Sequence, residues 1–558
     1  MMNPMSKKFP WAPESVPASG LASVLLVVLL TACGGGGSGG GGAPPPIGPE
    51  PLPPATISAS AVIVSKVTPF AMDCLQSGAG SIVYVDSELE PHIAVDPADQ
   101  NHLIAAWQQD RLAGGGALGL VSAVSVDGGL QWSGPLAFEY TVCGGGESLL
   151  SSDPWVSIGP QAAYHAGIAF SGAASDAGPR STVVVSRSVD GGFSWGKPTL
   201  VADDPGDELF NDKETVTADA WDERYVYVVW DRISSDDQGP TRLARSVDGG
   251  LSWEPARTIY DPGPGRQTIG NEVVILPGGL IFLFFSELGP SLDEPDALAA
   301  DLKVMRSMDR GVTWSDPVQI AEIRSVGTSD PSRPEVKVRA GEIIGSFAGG
   351  PVDNNLYAVW QDARYTGGAH DAIVLSKSSD NGATWSEPAR VNADASVPAF
   401  VPTLALMPDG TIGVSYYDFR PPRDERALLT NHWLAVSRDG INWNETLLAE
   451  RFDMLNAPDA GGRFVGDYQG LASYETGFLA LFAIVNNGDS ANRTDLYADR
   501  VDGFATASVR QWGHGKSLSG AWSRTAQQRV NDNLAAAKAR RTERWKALLR
   551  EASLKPDD

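Results

Sequence analysis

Four short segments of the chain repeat an aromatic residue followed by an aspartate and an arginine. This pair suits ligand binding, because a guanidinium presents a planar fork of donors to a carboxylate. The segments are Trp107–Arg111, Trp230–Arg232, Trp360–Arg364 and Tyr416–Arg420. One interpretation is a ring of substrate-binding residues, formed by Asp110, Arg111, Asp231, Arg232, Arg364 and Arg420. The other is that each pair locks one repeat unit to the next, which recurrence in four units favours for most of them.

A second set of polar residues does not repeat. These residues open candidate strands and comprise Glu88 and Glu90, Asp153, Asn211–Glu214, Gln267–Glu272 and Gly466–Gln469. A substrate is asymmetric, so polar residues that differ between equivalent positions are better candidates for chemistry than residues that recur. We therefore expect these segments to line the functional site.

Metal chemistry has little support in the sequence. The six histidines are scattered and form no zinc-ligand pattern with the cysteines. Paired carboxylates at a channel mouth would suit Ca²⁺, but no loop has the spacing of a calcium motif. No metal and no cofactor are predicted.

A repeated octapeptide indicates which strands carry these residues. SVDGGLQW, Ser125–Trp132, recurs with starts at Ser188, Ser246, Ser307 and Ser378, and a shortened copy starts at Ser437. The successive starts are 63, 58, 61, 71 and 59 residues apart. This period, without a helical pattern inside it, predicts one four-stranded unit per repeat and an all-β propeller. Within the motif, Ser and Asp bond the turn backbone, Gly supplies positive φ and Trp packs beneath.

Each copy is expected to be the turn between the third and fourth strands of a blade. Inner strands are then expected near His92, Trp155, Thr215, Glu272, Ile343, Pro402 and Tyr468. Seven inner strands against six turns predict seven blades, with six as the alternative. The last blade needs a fourth strand, which Ile57–Val67 or Ser81–Val85 of the N-terminal segment is expected to supply. Ligand is expected at the channel mouth opposite the repeated turns.

The Ser-x-Asp-x-Gly-x-x-Trp turn is that of the Asp-box family. Over roughly residues 85 to 505 the chain resembles the sialidase-like (BNR repeat) β-propellers, including bacterial lipoprotein members. The resemblance implies a tyrosine nucleophile activated by a glutamate, an aspartate acid/base and three arginines that hold a carboxylate. Tyr468-Gln469-Gly470-Leu471 matches the tyrosine context, and Asn271-Glu272 before a glycine turn matches the glutamate. Tyr468, Glu272 and Asp467 are therefore the catalytic candidates.

The other family positions depart from the pattern. The three expected arginines are replaced within Glu90–Ile93, Ser286–Glu287 and Asn431–His432, and the expected aspartate falls in Leu112–Gly116. Loss of this clamp removes charge-assisted hydrogen bonds worth roughly 1.5–3 kcal/mol each. Genuine sialic acid specificity is therefore not expected, unless arginines such as Arg111 rebuild an anion site.

The N-terminus has the order of regions of a signal peptide. Lys7 and Lys8 precede the apolar run Leu21–Leu30 and then Leu30-Thr31-Ala32-Cys33, which resembles a bacterial lipobox. The resemblance implies a signal peptide over residues 1–32 and a lipid on Cys33, with a generic signal peptide as the alternative. Residues 33–56 are a Gly- and Pro-rich linker, 57–505 the propeller and 506–558 a tail. We expect an outer-membrane lipoprotein that faces the periplasm or the cell surface.

Two cysteines remain after Cys33. In an oxidising compartment Cys74 and Cys143 are expected to form a disulfide that pins the N-terminal segment to the loop after blade one. Two unpaired buried cysteines are the alternative.

Charge is distributed unevenly along the chain. The formal net charge is −25, yet residues 510 to 558 hold eleven Lys or Arg against five Asp or Glu. So acidic a body argues against nucleic acid as a partner. The tail segment Thr525–Ala552 predicts a basic helix, either solvated on the acidic propeller or in contact with a surface or partner.

Two functions of different class remain. One is a membrane-anchored, monomeric, sialidase-like glycoside hydrolase acting on an extracellular glycan. The other is a non-catalytic propeller that binds a glycan or protein through the same channel mouth. A third, an envelope assembly protein, would depend on the basic tail.

Overall fold

The computed structural model describes residues 55–71, 74, 82–172, 178–291, 294, 297–350, 353–421, 424–503 and 522–551. The expected signal peptide, Cys33 and most of the linker lie outside this range. No helix within the described ranges is long and apolar enough to cross a membrane.

The described strands group into seven blades, as predicted, each with antiparallel neighbours. Their inner strands contact one another in chain order, and the last contacts the first, so the ring is closed. Strands of blades 1 to 3 are, from the inside outward, Val83–Val95, Leu103–Leu112, Ala117–Ser125 and Leu136–Ala137; Leu150–Ile158, Ala163–Ser171, Arg180–Ser188 and Thr199–Pro205; and Leu209–Ala218, Val226–Ser234, Thr241–Ser246 and Arg257–Tyr260. The fold is a β-propeller.

The remaining blades follow the same plan. Their strands are Gln267–Ile275, Ile281–Pro290, Leu298–Ser307 and Val318–Glu322 in blade 4; Ser346–Gly349, Leu356–Asp362, Ala372–Ser378 and Ala389–Arg390 in blade 5; Ala399–Leu406, Ile412–Asp418, Leu429–Ser437 and Asn444–Asp453 in blade 6; and Gly470–Tyr474, Gly477–Val485 and Thr494–Asp502 in blade 7. The second strand of each blade is largely buried, as expected of a strand that neighbouring blades cover on both faces.

The N-terminal segment completes the ring. Val62–Ile63 pairs with the third strand of blade 7 and is its fourth strand, while Thr56–Ile57 adds a fifth strand to blade 6. Val62–Ile63 lies within the segment Ile57–Val67 that was predicted to complete this blade, whereas the strand that Thr56–Ile57 adds to blade 6 was not predicted. The alternative segment, Ser81–Val85, instead leads into the inner strand of blade 1. Strands from the two ends of the chain thus share blade 7, which holds the ring shut.

The repeated turns form the same local hydrogen bonds in each copy. In the first, the Asp127 carboxylate accepts from Ser125 Oγ at 2.9 Å and from the Gln131 amide at 2.9 Å, and Gly129 N donates to Ser125 Oγ at 2.9 Å. Equivalent Ser and Asp bonds recur in the other copies. Each turn follows a third strand, as predicted.

Smaller elements lie outside the blades. Thr328–Ser329, Lys337–Arg339 and Arg463–Phe464 form a three-stranded sheet that joins the loop before blade 5 to the loop before blade 7. Single 3₁₀ turns occupy Val142–Gly144 and Met454–Asn456. The helix Arg524–Glu551 confirms the helical tail.

Cys74 and Cys143 form the predicted disulfide, with their Cα atoms 5.6 Å apart and a sequence separation of 69. Replacing Cys143 with serine is expected to lower the free energy of unfolding by about 4 kcal/mol, because the unfolded chain regains the entropy of that loop. Urea unfolding of the variant and the wild type, each with and without reductant, measures this. Reductant should shift only the wild type; an equal shift in both would show that the bond is not the source.

Candidate functional site

Five of the inner strands share a β-bulge that turns side chains toward the channel. In blades 1, 2, 3, 4 and 6 a β-bulge leaves two residues without a partner on the second strand. The first of each two has a left-handed backbone: Glu90 (φ 50°), Asp153 (φ 57°), Lys213 (φ 50°), Gly270 (φ 65°) and Val401 (φ 51°). Such φ values are uncommon outside glycine, and strain of this kind concentrates at functional sites. The bulges therefore mark the mouth of the channel as the site.

A charge cluster lies at this level, formed by side chains from separate blades. Lys213 Nζ lies 3.1 Å from Glu90 Oε1, 2.8 Å from Asp153 Oδ1 and 3.0 Å from Asp467 Oδ2. Arg339 binds the Asp467 carboxylate through both Nε and Nη2. We call Glu90, Asp153, Lys213, Arg339 and Asp467 the Lys213 cluster. The four other than Arg339 are each no more than 7 % exposed.

Burial and charge set the protonation of this cluster. Burial opposes charging of Lys213, but the carboxylates of Asp153, Asp467 and Glu90 outweigh it and raise the lysine pKa well above its ordinary value. Burial would likewise raise the pKa of Asp467, yet Arg339 and Lys213 hold it far below its usual range. Glu90 is different, since burial raises its pKa to about 7 even though Lys213 opposes the shift.

Two cavities of about 90 Å³ each meet at the Lys213 cluster. The outer cavity lies between the rim and the C-terminal helix and is lined by Arg111, Arg339 and Trp545, among others. The inner cavity lies within the channel and is lined by Glu214, Glu272 and Tyr468, among others. Asp153, Lys213, Ile344 and Asp467 border both. The segments expected to carry chemistry therefore converge on one place.

Tyr468 and Glu272 line the same inner cavity, but no hydrogen bond joins them in the described part of the chain. The Tyr468 hydroxyl donates to the Pro154 carbonyl oxygen at 3.2 Å, and its ring lies 5.1 Å from Lys213 Nζ. Burial, followed by the Glu90 and Asp153 carboxylates, raises the tyrosine pKa well above its ordinary value. Nothing in this arrangement activates the hydroxyl as a nucleophile.

Glu272 is electrostatically unlike the activating base that the resemblance implies. Burial raises its pKa to about 8, opposed by a hydrogen bond from the Phe347 backbone. The carboxyl group is therefore protonated at neutral pH and suits a proton donor. Asp467, a predicted catalytic residue, differs from Glu272 in the opposite direction. Its ion pair with Arg339 keeps it ionised, so it has no proton to give.

Glu214 is a functional candidate that sequence reasoning placed in a rim segment but did not single out. It lines the inner cavity, is 1 % exposed, and neither of its carboxyl oxygens has a hydrogen-bond partner among the described residues. Burial, reinforced by the Asp153 carboxylate, raises its pKa well above the ordinary value. The cavity thus holds two protonated carboxyl groups beside an ion-paired cluster.

The repeated Asp and Arg pairs divide between the two interpretations. Arg232 pairs with Asp204 of blade 2, Arg364 with Asp362 and the Glu322 carbonyl of blade 4, and Arg420 with Asp418 and Glu445. Arg232 and Arg364 each join their blade to the preceding one, whereas the contacts of Arg420 stay within blade 6, so all three are engaged in structural contacts. Arg111 alone of the four lines the described cavities around the cluster.

The aspartates of these pairs are also occupied. Asp110 accepts hydrogen bonds from the Thr68 hydroxyl and from the Asp86 amide, and so holds the N-terminal segment. Asp231 binds Arg541 of the C-terminal helix. Neither lines either cavity directly, which places both behind the site rather than in it.

Arg339 was missed because it lies on the three-stranded sheet outside the blades. Its guanidinium lies 4.5 Å from the centre of the Phe464 ring, and that of Arg111 lies 5.1 Å from the same ring. Arg339 Nη1 and Arg111 Nε are buried without a hydrogen-bond partner in the described ranges. Two residues that replace the arginines implied by the resemblance make structural contacts instead. Glu287 pairs with Arg266 and Lys303, and the buried His432 is hydrogen-bonded to Gln469.

The C-terminal helix lies over the mouth of the channel, on the face opposite the repeated turns. Arg540 pairs with Glu342, and Lys538 Nζ lies 2.7 Å from Asp237 Oδ2. The Trp545 ring is 1 % exposed and stacks on Phe210, with centroids 6.0 Å apart. The tail therefore rests on the acidic propeller, as expected, but at the functional mouth and partly buried.

No described group of three or more His, Cys, Asp or Glu side chains is arranged to hold a metal ion.

The known proteins similar to this chain share little sequence with it. No protein family model matches the chain. The chain is similar to a solved protein of unknown function from Dyadobacter fermentans DSM 18053, with 14 % identity, 81 % of this chain and 100 % of that chain covered, and a TM-score of 0.41. It is similar to a Penicillium chrysogenum α-L-arabinanase solved with arabinobiose, with 12 % identity, 81 % and 99 % covered, and a TM-score of 0.42. A leech intramolecular trans-sialidase has 10 % identity, 81 % and 99 % covered, and a TM-score of 0.39. None of these similarities assigns an activity to this chain.

Proposed function

We propose that this propeller is a glycoside hydrolase whose reaction takes place in the inner cavity. The observation that carries the proposal is that Glu272 and Glu214, both held protonated by burial, share this cavity with the Lys213 cluster. Glycosidases need a carboxyl group that stays protonated at neutral pH beside carboxylates that stay ionised. In this cavity the surroundings of each carboxyl group, burial or ion pairing, determine whether it is protonated or ionised.

In this proposal Glu272 protonates the glycosidic oxygen of the leaving group. The ion-paired carboxylates of Asp153 and Asp467 lie where they stabilise the positive charge that develops on the sugar ring. Tyr468 lines the same cavity and is the candidate nucleophile; for this role its hydroxyl has to leave the Pro154 carbonyl oxygen and lose its proton. Glu214 is a second proton donor in reach of that cavity.

The substrate we propose is an extracellular glycan, without commitment to sialic acid. Arg111 and Arg339 line the outer cavity, and their guanidinium groups would bind an acidic sugar there. The cluster itself adds no net positive charge, since Lys213 and Arg339 face three acidic side chains. We further propose that Cys33 is lipidated and tethers the propeller to the outer membrane, on the lipobox-like residues that precede it.

The test is hydrolysis of a panel of 4-methylumbelliferyl glycosides, sialoside and arabinofuranoside included, by the full-length chain at pH 7. The double variant Tyr468→Phe/Glu272→Gln is expected to lose the turnover that the wild type shows. Tyr225→Phe/Glu223→Gln is the matched control, because both residues lie in the turn between the first two strands of blade 3, on the opposite face. Turnover that survives in the first variant would contradict the assignment of these residues.

A second candidate function is a non-catalytic propeller that binds a glycan or protein partner at this mouth. The observation that favours it is that Tyr468 has no activating base, since Glu272 is protonated and bonded elsewhere. Silence of the wild type across the panel, together with binding to an immobilised glycan that Arg111→Met and Arg339→Met weaken, would replace the hydrolase with this function.

A further inference from the structure

Arg541 of the C-terminal helix is inserted into a pocket of the propeller. Its Nη1 donates to Gln267 Oε1 and to the Thr268 carbonyl oxygen, each at 3.1 Å, its Nε to Asp212 Oδ2 at 3.4 Å, and its Nη2 to Asp231 Oδ2. The side chain is 7 % exposed. A guanidinium surrounded in this way by acceptors is held through all three of its nitrogens, which a compact ammonium group cannot match.

The propeller builds this pocket without help from the helix. Asp212 and Asp231 are directly opposed in the ladder between the first two strands of blade 3, and Gln267 and Thr268 open the inner strand of blade 4. Two carboxylates in register repel each other, and burial raises the pKa of Asp231 well above its ordinary value even though Arg541 opposes the shift, so without the helix the pocket has to take up a cation or a proton. Asp231 is fully buried, and its Oδ1 has no hydrogen-bond partner within the described ranges. The pocket thus retains an acceptor that Arg541 leaves unused.

The pocket adjoins the proposed site, because Asp212 precedes Lys213 and both line the outer cavity. With the helix in place this cavity and the inner cavity measure about 90 Å³ each, below the roughly 300–1,000 Å³ that is typical of sites for small molecules. Arg540, Arg541 and Trp545 supply its outer wall. The tail therefore occupies the space through which a ligand would enter.

The helix is attached to the propeller through side chains alone. Its buried residues are Ala526, Val530, Leu534, Ala537 and Trp545, and the last four pack into the hydrophobic core of the blades, so release of the helix has to expose them. None of its residues pairs with a strand, and the ring of blades closes without it.

We propose that the pocket filled by Arg541 is a guanidinium-binding subsite of the channel mouth, and that a guanidinium-bearing ligand competes with the tail for it. The inference rests on the proposed function only in locating the ligand at the same mouth, and it adds a ligand class that the proposed function leaves open. While the tail is bound, the subsite and the outer cavity are closed to that ligand.

The experiment is chemical rescue of the full-length chain, followed by thermal unfolding. Arg541→Ala empties the pocket and is expected to lower Tm, and 10 mM methylguanidinium is expected to restore about 3 °C or more by binding the folded state. Wild type, whose pocket is filled, should show no rise. Arg529→Ala is the matched control on the same helix, because Arg529 bonds only the Gly368 carbonyl, away from the pocket. Methylammonium, which has the charge without the fork, should restore less.

Equal responses of Arg541→Ala and Arg529→Ala to methylguanidinium would overturn the proposal, as would a response that persists in Arg541→Ala/Asp231→Asn. If Arg541→Ala does not yield folded protein, Arg541→Ser, which also leaves the pocket empty, enters the same titration. Failure of both to fold while Arg529→Ala folds would also overturn it, since the tail would then be a fixed structural part. No readout uses a glycoside, so silence of the glycoside panel and failure of rescue are separate outcomes.

Discussion

Replacing Lys213 with methionine is expected to lower the free energy of unfolding by about 3–5 kcal/mol, because removal of one member of a buried ion cluster leaves charge uncompensated. Glu90, Asp153 and Asp467 all contact Lys213 Nζ within 3.1 Å, and Arg339 is engaged by Asp467 alone. Methionine keeps most of the volume of the lysine stem, so the loss is one of charge. Urea unfolding at pH 8 measures it.

The matched control is Lys377→Met, since Lys377 is partly exposed and its ammonium group lies over the Tyr357 ring, 5.3 Å from the ring centre. Its loss is expected to stay within about 1 kcal/mol. The Lys213→Met penalty should shrink at pH 5, because Glu90, whose pKa is about 7, is then protonated and needs no counter-ion. A penalty that is equal at pH 5 and pH 8 would show that packing of the lysine stem, not its charge, supports the site.

Glu272→Gln is expected to reduce turnover of whichever glycoside the wild type cleaves by about a hundredfold or more, the usual contribution of a general acid. The amide has nearly the shape of the carboxyl group but no proton to donate. A leaving group that needs no protonation should largely escape the loss, so an aryl glycoside with a strongly acidic phenol serves as an internal control. Comparable losses for both leaving groups would contradict the role of proton donor.

The pH profile gives the same residue a second test. Since burial raises the pKa of Glu272 to about 8, the protonated form dominates below that pH and is lost as the pH rises through it. Turnover should therefore fall above about pH 8, roughly tenfold for each further pH unit. Residual activity of Glu272→Gln should lack this fall. If the fall remains there, another group, with Glu214 the nearest candidate in kind, sets it.

Much of the fold could be predicted because its signals are local. Ser125 and Asp127 satisfy their turn within eight residues, and the same letters recur in five further copies, so the blade period can be read without knowing any long-range contact. The count of seven inner strands, the strand donated by the N-terminal segment and the disulfide between Cys74 and Cys143 followed from that period and from the number of cysteines left over.

The candidate site could be predicted only in part. That non-repeating rim residues would converge followed from propeller geometry, and Glu90, Asp153, Lys213 and Asp467 do meet. Which of the repeated arginines would face the channel did not follow from the sequence: Arg232, Arg364 and Arg420 are engaged by Asp204, the Glu322 carbonyl oxygen and Glu445, which belong to other strands, and only packing reveals this.

Three features were decided by the tertiary structure alone. Arg339 reaches Asp467 across 128 residues because a short sheet outside the blades carries it, and Arg541 reaches Asp231 across 310 residues because the tail folds back over the mouth. Protonation is the third: Glu272 and Asp467 are both carboxylic acids in the sequence, yet burial without a cation keeps one protonated, while Arg339 and Lys213 keep the other ionised. The sequence by itself determined the repeat, its turns and the closed ring, because these depend on neighbouring residues. Charge and access at the site depend on which distant groups burial brings together, and only the tertiary structure determines that.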